Sequence, residues 1–273
     1  MHWRWIDRGA EDGATQMAID QAMILEARST AQPTFRVYQW HPHCISLGYH
    51  QSQDIFDRDR CRQAQVDVVR RPTGGRAVFH AEELTYSAII PFGIHDALDS
   101  AQSVYRIISE ALAEAIRSLG VPAQLEKRKP DLRAHYQKDE SASCFSATAR
   151  HEVLIHGKKL IGSAQRSFPW GVLQHGSILI GPRHADLPLF LNEIPVLQKE
   201  RFIELLKQKT AVLQEFMPCP VSLSSAIRET LASRLHIEFQ NTDLTSAEAQ
   251  RLDALRTEFL IFSASDFRKP SIG

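Results

Sequence analysis

No run of apolar residues in this 273-residue chain approaches the ~18 that a membrane-spanning helix needs. The N-terminus, Met1-His2-Trp3-Arg4-Trp5, has no apolar signal segment, so a cytoplasmic protein without membrane attachment is expected. An excess of one charge is missing too. Lys plus Arg number 32 and Asp plus Glu number 32, a formal charge of zero. A nucleic-acid binder usually shows a basic excess or stripe, so nucleic acid is not an expected partner. Cysteine is sparse. The four residues Cys44, Cys61, Cys144 and Cys219 form no Cys-x-x-Cys pair, which argues against a disulfide framework and against a four-cysteine zinc site. Each is by default a small buried hydrophobe, and at most one is expected to have a chemical role. Low-complexity stretches and internal repeats are absent.

What is present is ordinary for a soluble globular enzyme, with 43% hydrophobic and 23% charged residues. The length allows one large domain or two small ones, with a core that needs no disulfide or metal staple. Apolar spacing predicts a helix over 12–27. Strands are expected over 34–40, 43–48, 66–70 and 84–91. Asp99 or Ser100 is placed to cap a helix running to Leu119, with Gly120 and Pro122 as its stop. A strand follows at 123–126. Lys127 to Ser143 is polar and reads as a surface loop long enough to be functional. Residues 152–155 and 159–165 flank His156-Gly157 as a hairpin, and 171–180 is a further strand. Three helices then follow, over 198–209, 222–234 and 245–259, the last opened by a Thr245/Glu248 capping box. Strands first and helices last predict an α+β fold with a mixed or antiparallel sheet. Residues 1–185 are expected to form the catalytic core. Residues 186–273 are expected to be a helical tail packed on it as part of the same domain.

Three segments carry chemistry. The first is Arg70-Arg71-Pro72-Thr73-Gly74-Gly75-Arg76-Ala77-Val78-Phe79-His80. Adjacent glycines after a strand let the backbone approach a ligand closely and turn amides toward an anionic or carbonyl oxygen. A hairpin turn with solvated arginines accounts for the same residues. The segment is neither a P-loop nor a dinucleotide fingerprint. The second is Gly157-Lys158-Lys159-Leu160-Ile161-Gly162-Ser163-Ala164-Gln165, where small residues leave room beside a lysine. Here a turn lysine on a solvated face is the alternative. Neighbouring strand side chains point to opposite faces, so only one of Lys158 and Lys159 can face a site. The third is Cys144, followed by Phe145. It is either a buried structural cysteine or a nucleophile activated by a nearby cation or base, for which Lys159, His80 and His175 are the candidates.

Taken together, these segments resemble the lipoate/octanoate ligase and transferase family, related in fold to biotin protein ligase. Arg-Arg-x-Thr-Gly-Gly-Arg-Ala-Val-x-His resembles its substrate loop. Gly-Lys-Lys-Leu-Ile-Gly-Ser-Ala-Gln resembles the segment bearing its essential lysine, which falls on Lys159. Leu-Gln-His-Gly-Ser-Ile at 173–178 resembles the strand that follows. Met17-Ala18-Ile19-Asp20 and Ser46-Leu47-Gly48-Tyr49-His50-Gln51 match its N-terminal pattern. The resemblance covers residues 3 to 181 well and the tail loosely. The chain ends soon after its third tail helix, so the accessory domain common in the ATP-dependent ligases is not expected. Cys144-Phe145 fits the octanoyltransferase branch that places its nucleophile just before the lysine hairpin.

The resemblance implies transfer of an octanoyl group from octanoyl-acyl carrier protein, through a Cys144 thioester, to a lysine of lipoyl-domain proteins. Glycine cleavage H protein and the acyltransferase subunits of 2-oxoacid dehydrogenases are the implied acceptors. Cys144 and Lys159 are the implied catalytic pair. Arg71, Thr73, Gly74, Gly75, Arg76, His80, Gly162, Ser163, Ala164 and His175 are the implied substrate contacts. No cofactor and no metal enter this scheme. Arg70, Arg71 and Arg76 are expected to meet the acidic carrier protein. Gly75→Val is expected to block the acyl carbonyl with little loss of stability, provided its backbone angles suit a β-branched residue. Two alternatives remain: an ATP-dependent lipoate–protein ligase, and a silent protein that only binds acylated carrier domains.

Overall fold

The computed structural model describes residues 1–126, 145, 151–192, 194–217 and 222–263. Its largest sheet has six strands. They are β1 (His2–Glu11), β2 (Thr34–Trp40), β6 (Glu83–Pro91), β10 (Ile161–Phe168), β11 (Gly171–Leu179) and β12 (Glu238–Asn241), in the order β10-β11-β6-β2-β1-β12. The β1 strand runs parallel to β2 and β12, while β2, β6, β11 and β10 alternate in direction. A second sheet of four strands has the order β13-β4-β3-β5, from β3 (Cys44–Leu47), β4 (Asp67–Arg70), β5 (Val78–His80) and β13 (Leu260–Phe262). Strands β7 (Ala123–Leu125), β8 (Val153–Ile155) and β9 (Lys158–Lys159) make a small antiparallel third sheet. This is the expected α+β class, with mixed sheets and flanking helices.

Helix α1 (Gly13–Thr30) starts at Asp12, whose carboxylate accepts from the Thr15 amide at 2.9 Å. It packs against β6 and β11 of the large sheet, against β3 and β4 of the second sheet, and against the last helix, α6 (Ser246–Phe259). Being covered on several sides, it is buried over most of its length, including Gln16 and Asp20. The sequence stripe suggested only one buried face. On the opposite face of the large sheet lies α3 (Ala101–Ser118), capped by the reciprocal Ser100/Ser103 pair. The two faces are legible in β6. Ile89 joins Ile19, Met23 and Ile24 of α1, while Tyr86, Ala88 and Ile90 join the α3 side.

Two elements that the sequence reading did not name, α2 (Arg58–Gln63) and a 3₁₀ segment over Pro182–Phe190, flank the second sheet. The three expected tail helices occur as α4 (Val196–Lys209), α5 (Leu223–Leu235) and α6. The tail also contributes strands. β12 extends the large sheet beside β1, and β13 extends the second sheet beside β4. Neither has an apolar alternation that announces it. Their ladders with buried neighbours make them strands, as tertiary pairing outweighs local pattern. The β1 strand was missed for a related reason. Its ladders with β2 and β12 define it, and its Arg4 is held by Glu248 of α6 at 2.6 Å.

Candidate active site

A pocket of about 340 Å³, counting the open space at its mouth, lies where the large and second sheets meet. Tyr38, Trp40, Thr85 and His175 reach it from the large sheet, and Ser46, Val78 and His80 from the second. The β10 residues Gly162, Ser163 and Ala164 form one wall. Small side chains are required there. A Cβ on neighbouring Gly176 would come within 2.7 Å of the Gly162 carbonyl, Ser163 Oγ and the Tyr86 ring. Tyr86 hydroxyl and Ser163 hydroxyl lie 2.7 Å apart, and Gln174 Nε2 donates to the same Tyr86 oxygen at 2.8 Å.

The glycine loop between β4 and β5 is braced from within. Arg71 is buried and donates through Nη1 to the Ser46 carbonyl (2.9 Å) and Ser46 Oγ (3.2 Å). Its Nε and Nη2 donate to the Gly74 carbonyl, and Nη2 also to the Arg76 carbonyl at 2.7 Å. These five contacts match the five N–H groups of a guanidinium. Arg70 Nη1 in turn donates to the carbonyls of Gly48, Tyr49 and Gln51. Arg71 therefore shapes the glycine loop and Arg70 the adjoining 48–51 segment, and the burial of Arg71 corrects the expectation that it presents charge to a partner. Gly75 has φ +93°, and a Cβ there would stand 2.7 Å from Arg71 Nη2. The condition attached to Gly75→Val is therefore not met, because an L side chain is strained in that conformation. At Gly74 a Cβ would meet nothing within 4 Å.

Two buried chains of carboxylate, imidazole and hydroxyl flank the loop. In one, His175 Nδ1 donates to Asp20 Oδ2 at 3.1 Å and Nε2 lies 2.6 Å from Thr73 Oγ1. In the other, His80 Nδ1 donates to Glu83 Oε1 at 2.7 Å and Nε2 lies 2.7 Å from Ser46 Oγ. At His175 the carboxylate fixes the proton on Nδ1, so the neutral ring accepts at Nε2 from the Thr73 hydroxyl. Asp20 is further held by Arg36 at 2.7 Å and by the Tyr38 hydroxyl at 3.2 Å. Burial pushes the Asp20 pKa up, but the His175 hydrogen bond and the Arg36 charge outweigh it and leave the pKa lowered. Glu83 is likewise lowered, burial being outweighed by His80 and by hydrogen bonds from Thr85 and Ser177. Burial lowers the His175 pKa, against the pull of Asp20, which keeps the ring neutral at neutral pH. Trp40 stacks on His80 with ring centres 4.0 Å apart.

The lysine hairpin stands beyond the β10 wall. His156 (φ 49°) and Gly157 (φ 77°) make the tight turn, the geometry a two-residue hairpin prefers. Lys158 is exposed, whereas Lys159 is 2% exposed, so the two point to opposite faces as the spacing predicts. Lys159 Nζ is 2.7 Å from Glu152 Oε1 and 5.3 Å from the centre of the Phe145 ring. An ideal Cβ on Gly162 would lie 3.0 Å from the Phe145 ring and 3.4 Å from Lys159 Cε. Behind Phe145 sits His184, hydrogen-bonded to Thr210 Oγ1 at 2.9 Å, with its pKa lowered by burial to about 4.

The structure brings Arg71, His80, His175, Gly162, Ser163 and Ala164 to one pocket. Thr73, Gly74 and Gly75 lie in its adjoining loop, and Arg76 offers that loop its carbonyl. Cys144 and Cys219, and the loop Lys127–Ser143, lie outside the described residues. Cys44 and Cys61 are buried thiols, with burial pushing Cys44 up and Cys61 up to about 12. Among the described residues no group of three or more His, Cys, Asp or Glu is arranged to hold a metal ion. No helix among them is long and apolar enough to cross a membrane. Sequence reasoning missed Asp20, Ser46, Glu83 and Glu152 as site residues. Asp20 and Ser46 stood in segments singled out by resemblance, but nothing local in the sequence marks Glu83 or Glu152.

Fold and cleft define a class: an α+β domain whose glycine loop and lysine hairpin flank one pocket between two sheets. More narrowly, the chain belongs to the lipoyl protein ligase A/B catalytic-domain family, whose model matches residues 12–234. It is 33% identical over 273 residues to octanoyltransferase LipM of Halalkalibacterium halodurans, covering 98% of this chain and 99% of that one. It is 36% identical over 265 residues to octanoyltransferase LipM of Clostridioides difficile, covering 94% and 96%. A bipartite lipoate protein ligase from Thermoplasma acidophilum, solved in a study of that ligase and its E2 lipoyl domain, matches with TM-score 0.75 and 20% identity. The match covers 94% of this chain and 93% of that one, and is a likeness of fold.

Proposed function

We propose that this chain is an octanoyltransferase of lipoate biosynthesis. It takes octanoate from octanoyl-acyl carrier protein onto Cys144 and passes it to a lysine of lipoyl-domain proteins. Acceptors are glycine cleavage H protein and the acyltransferase subunits of 2-oxoacid dehydrogenases, in the cytoplasm. Residues 1–185 carry the chemistry, with 186–273 part of the same domain. Near-full-length identity to proteins named octanoyltransferase LipM supports the activity. The observation that carries the site assignment is Lys159, a buried cation held against Phe145, the residue that follows Cys144 in the sequence.

The chemistry suits these groups. A thiolate exchanges with a thioester at little free-energy change, and attack by an amine then gives a stable amide, a two-step covalent route. A cation beside a thiol raises its thiolate fraction. The backbone of Gly74, whose Cβ position is open, suits close approach of the acyl carbonyl, and such an amide donor contributes about 2.7–4 kcal/mol to a transition state. The pocket's Met17, Tyr38, Trp40 and Val78 supply apolar surface, at ~0.8 kcal/mol per buried methylene.

Intact-mass analysis after mixing with octanoyl-acyl carrier protein tests the reading. The expected result is a single octanoyl adduct, lost in Cys144→Ser and Cys144→Ala but kept in Cys44→Ala, Cys61→Ala and Cys219→Ala. A Cys144→Ala protein that transfers octanoate at the wild-type rate, or octanoylation from free octanoate and ATP as fast as from the carrier, refutes it in favour of a ligase.

A further inference from the structure

A buried ion pair is a costly way to fill space. Both ions lose hydration, and packed apolar residues of similar volume often stabilise a fold as well or better. Lys159 and Glu152 form such a pair, with side chains 2% and 4% exposed and 2.7 Å between Nζ and Oε1. The backbone sets it up from both ends. Glu152 directly precedes β8, where its carbonyl accepts from the Glu126 amide at 2.9 Å. Lys159 closes β9, opposite Leu154 in the ladder, and its carbonyl accepts from the Ala211 amide at 3.0 Å. The two side chains thus meet across one hairpin, and Phe145 and Gly162 limit where the lysine can go.

We infer that Glu152 is the positioning residue of Lys159 and the reservoir for the proton released in amide formation. The inference rests on the octanoyl-transfer reading. An acceptor lysine arrives as an ammonium, and converting it to an amide releases two protons. The new C–N bond forms as the C–S bond to Cys144 breaks, with the electron pair going to sulfur. One proton ends on that sulfur. The other needs a second acceptor, which an ammonium form of Lys159 cannot be. Lys159 passes its own proton to the Glu152 carboxylate and, as the amine, takes the one from the acceptor ammonium. The Glu152 carboxyl then returns its proton to solvent when product leaves.

The test compares wild type, Glu152→Gln, Glu152→Asp, Lys159→Met and the double variant Glu152→Gln/Lys159→Met, with octanoyl-acyl carrier protein and a lipoyl domain. Circular dichroism and thermal unfolding are recorded for each. Glu152→Gln is expected to lower kcat about 100-fold, within the range of general acid–base effects, while KM for the lipoyl domain stays within about threefold. Glu152→Asp, which keeps the carboxylate, is expected to recover about tenfold of that loss. The double variant is expected to be no slower than Lys159→Met alone, because residues acting as a unit are not additive. Glu152→Gln turning over within about threefold of wild type while Lys159→Met is inactive overturns the inference, as do losses that multiply in the double variant. Where Glu152→Gln fails to fold, Glu152→Asp decides by the same split: unchanged kcat with a lowered melting temperature means a structural pair only. A wild-type protein that transfers nothing overturns the functional reading itself, and the Glu152 assignment with it.

Discussion

The glycine loop and the lysine hairpin flank the same pocket and are held in opposite ways. The loop is over-determined. Arg71 grips it from within, Thr73 ties it to Asp20 through His175, and Ser46 ties its neighbouring strand to Glu83 through His80. Most of these bonds join a charged group to a neutral one, and they converge from α1 and both sheets. On the hairpin, the buried Lys159 cation faces the Glu152 carboxylate, with a two-residue turn between their strands. A surface braced by many partners can hold a reacting group in register. A buried cation paired with a carboxylate can exchange a proton with it without unfolding its surroundings. The loop thus has the build of a mould and the hairpin that of a moving part of the chemistry.

The largest expected effect breaks the comparison if it fails. Lys159→Ala should reduce octanoyl transfer about 10³-fold, within the range of general acid–base catalysis, while the exposed Lys158→Ala stays near wild type. Steady-state transfer to a lipoyl domain measures both. Equal losses from the two substitutions mean that the hairpin works as a surface rather than through one buried amine.

Gly74→Val ranks next. Its Cβ enters open space, so melting temperature should barely move while transfer falls about 100-fold, the size of a lost oxyanion donor or a misplaced carbonyl. Gly75→Val should behave differently, losing stability along with activity because of its φ of +93°. Parallel thermal and kinetic measurements separate the two. A fully active Gly74→Val places the acyl carbonyl elsewhere.

Much of this division was legible in the sequence, and the unread part has a physical reason. The glycine pair and the lysine were visible because a turn or a short strand of small residues marks them locally, and the histidines because they stand in the segments that carry the family resemblance. The two-residue period said that only one of Lys158 and Lys159 can face a site, and the family resemblance chose Lys159. What the sequence concealed are partners: Glu152 for Lys159, Asp20 for His175, Glu83 and Ser46 for His80. A carboxylate 155 positions from its histidine has no local signature. It becomes a partner only when α1 is laid across β11. The strands β12 and β13 were hidden likewise, since ladders with distant strands define them. Arg71 shows the opposite error. Its charge suggested a ligand contact, whereas burial gives it to the loop's own carbonyls.

A smaller effect is expected at Thr73. Thr73→Val keeps the shape but removes the hydroxyl that donates to His175 Nε2. A buried acceptor left unpaired costs about 1–3 kcal/mol, so a lower melting temperature is expected, with KM raised severalfold and kcat changed less. Arg71 still holds Gly74 and Arg76 in such a protein, so the loop should loosen rather than collapse. A kcat loss as deep as that of Lys159→Ala would mean that Thr73 takes part in the chemistry and that the mould is not passive.

The smallest effect at neutral pH is the one that acid uncovers, and it tests the hairpin side. His184 packs its ring 5.4 Å from Phe145 and is kept neutral by burial, with a pKa of about 4 against 6.5 for a free histidine. An unfolded chain takes up a proton there as pH falls below 6.5, whereas the folded one resists until about 4. Stability from this group is complete above 6.5 and is lost across that window, on the order of 3 kcal/mol. The lowered pKa of His175 works in the same direction on the loop side, and the lowered carboxylates Asp20 and Glu83 add their loss at still lower pH. Denaturant unfolding between pH 7 and pH 4 should therefore show falling stability, and His184→Gln should flatten the upper part of that fall while leaving transfer at pH 7.5 within about threefold of wild type. An unchanged slope in His184→Gln would assign the acid sensitivity to His175 and the glycine loop, making the over-braced side the first to fail.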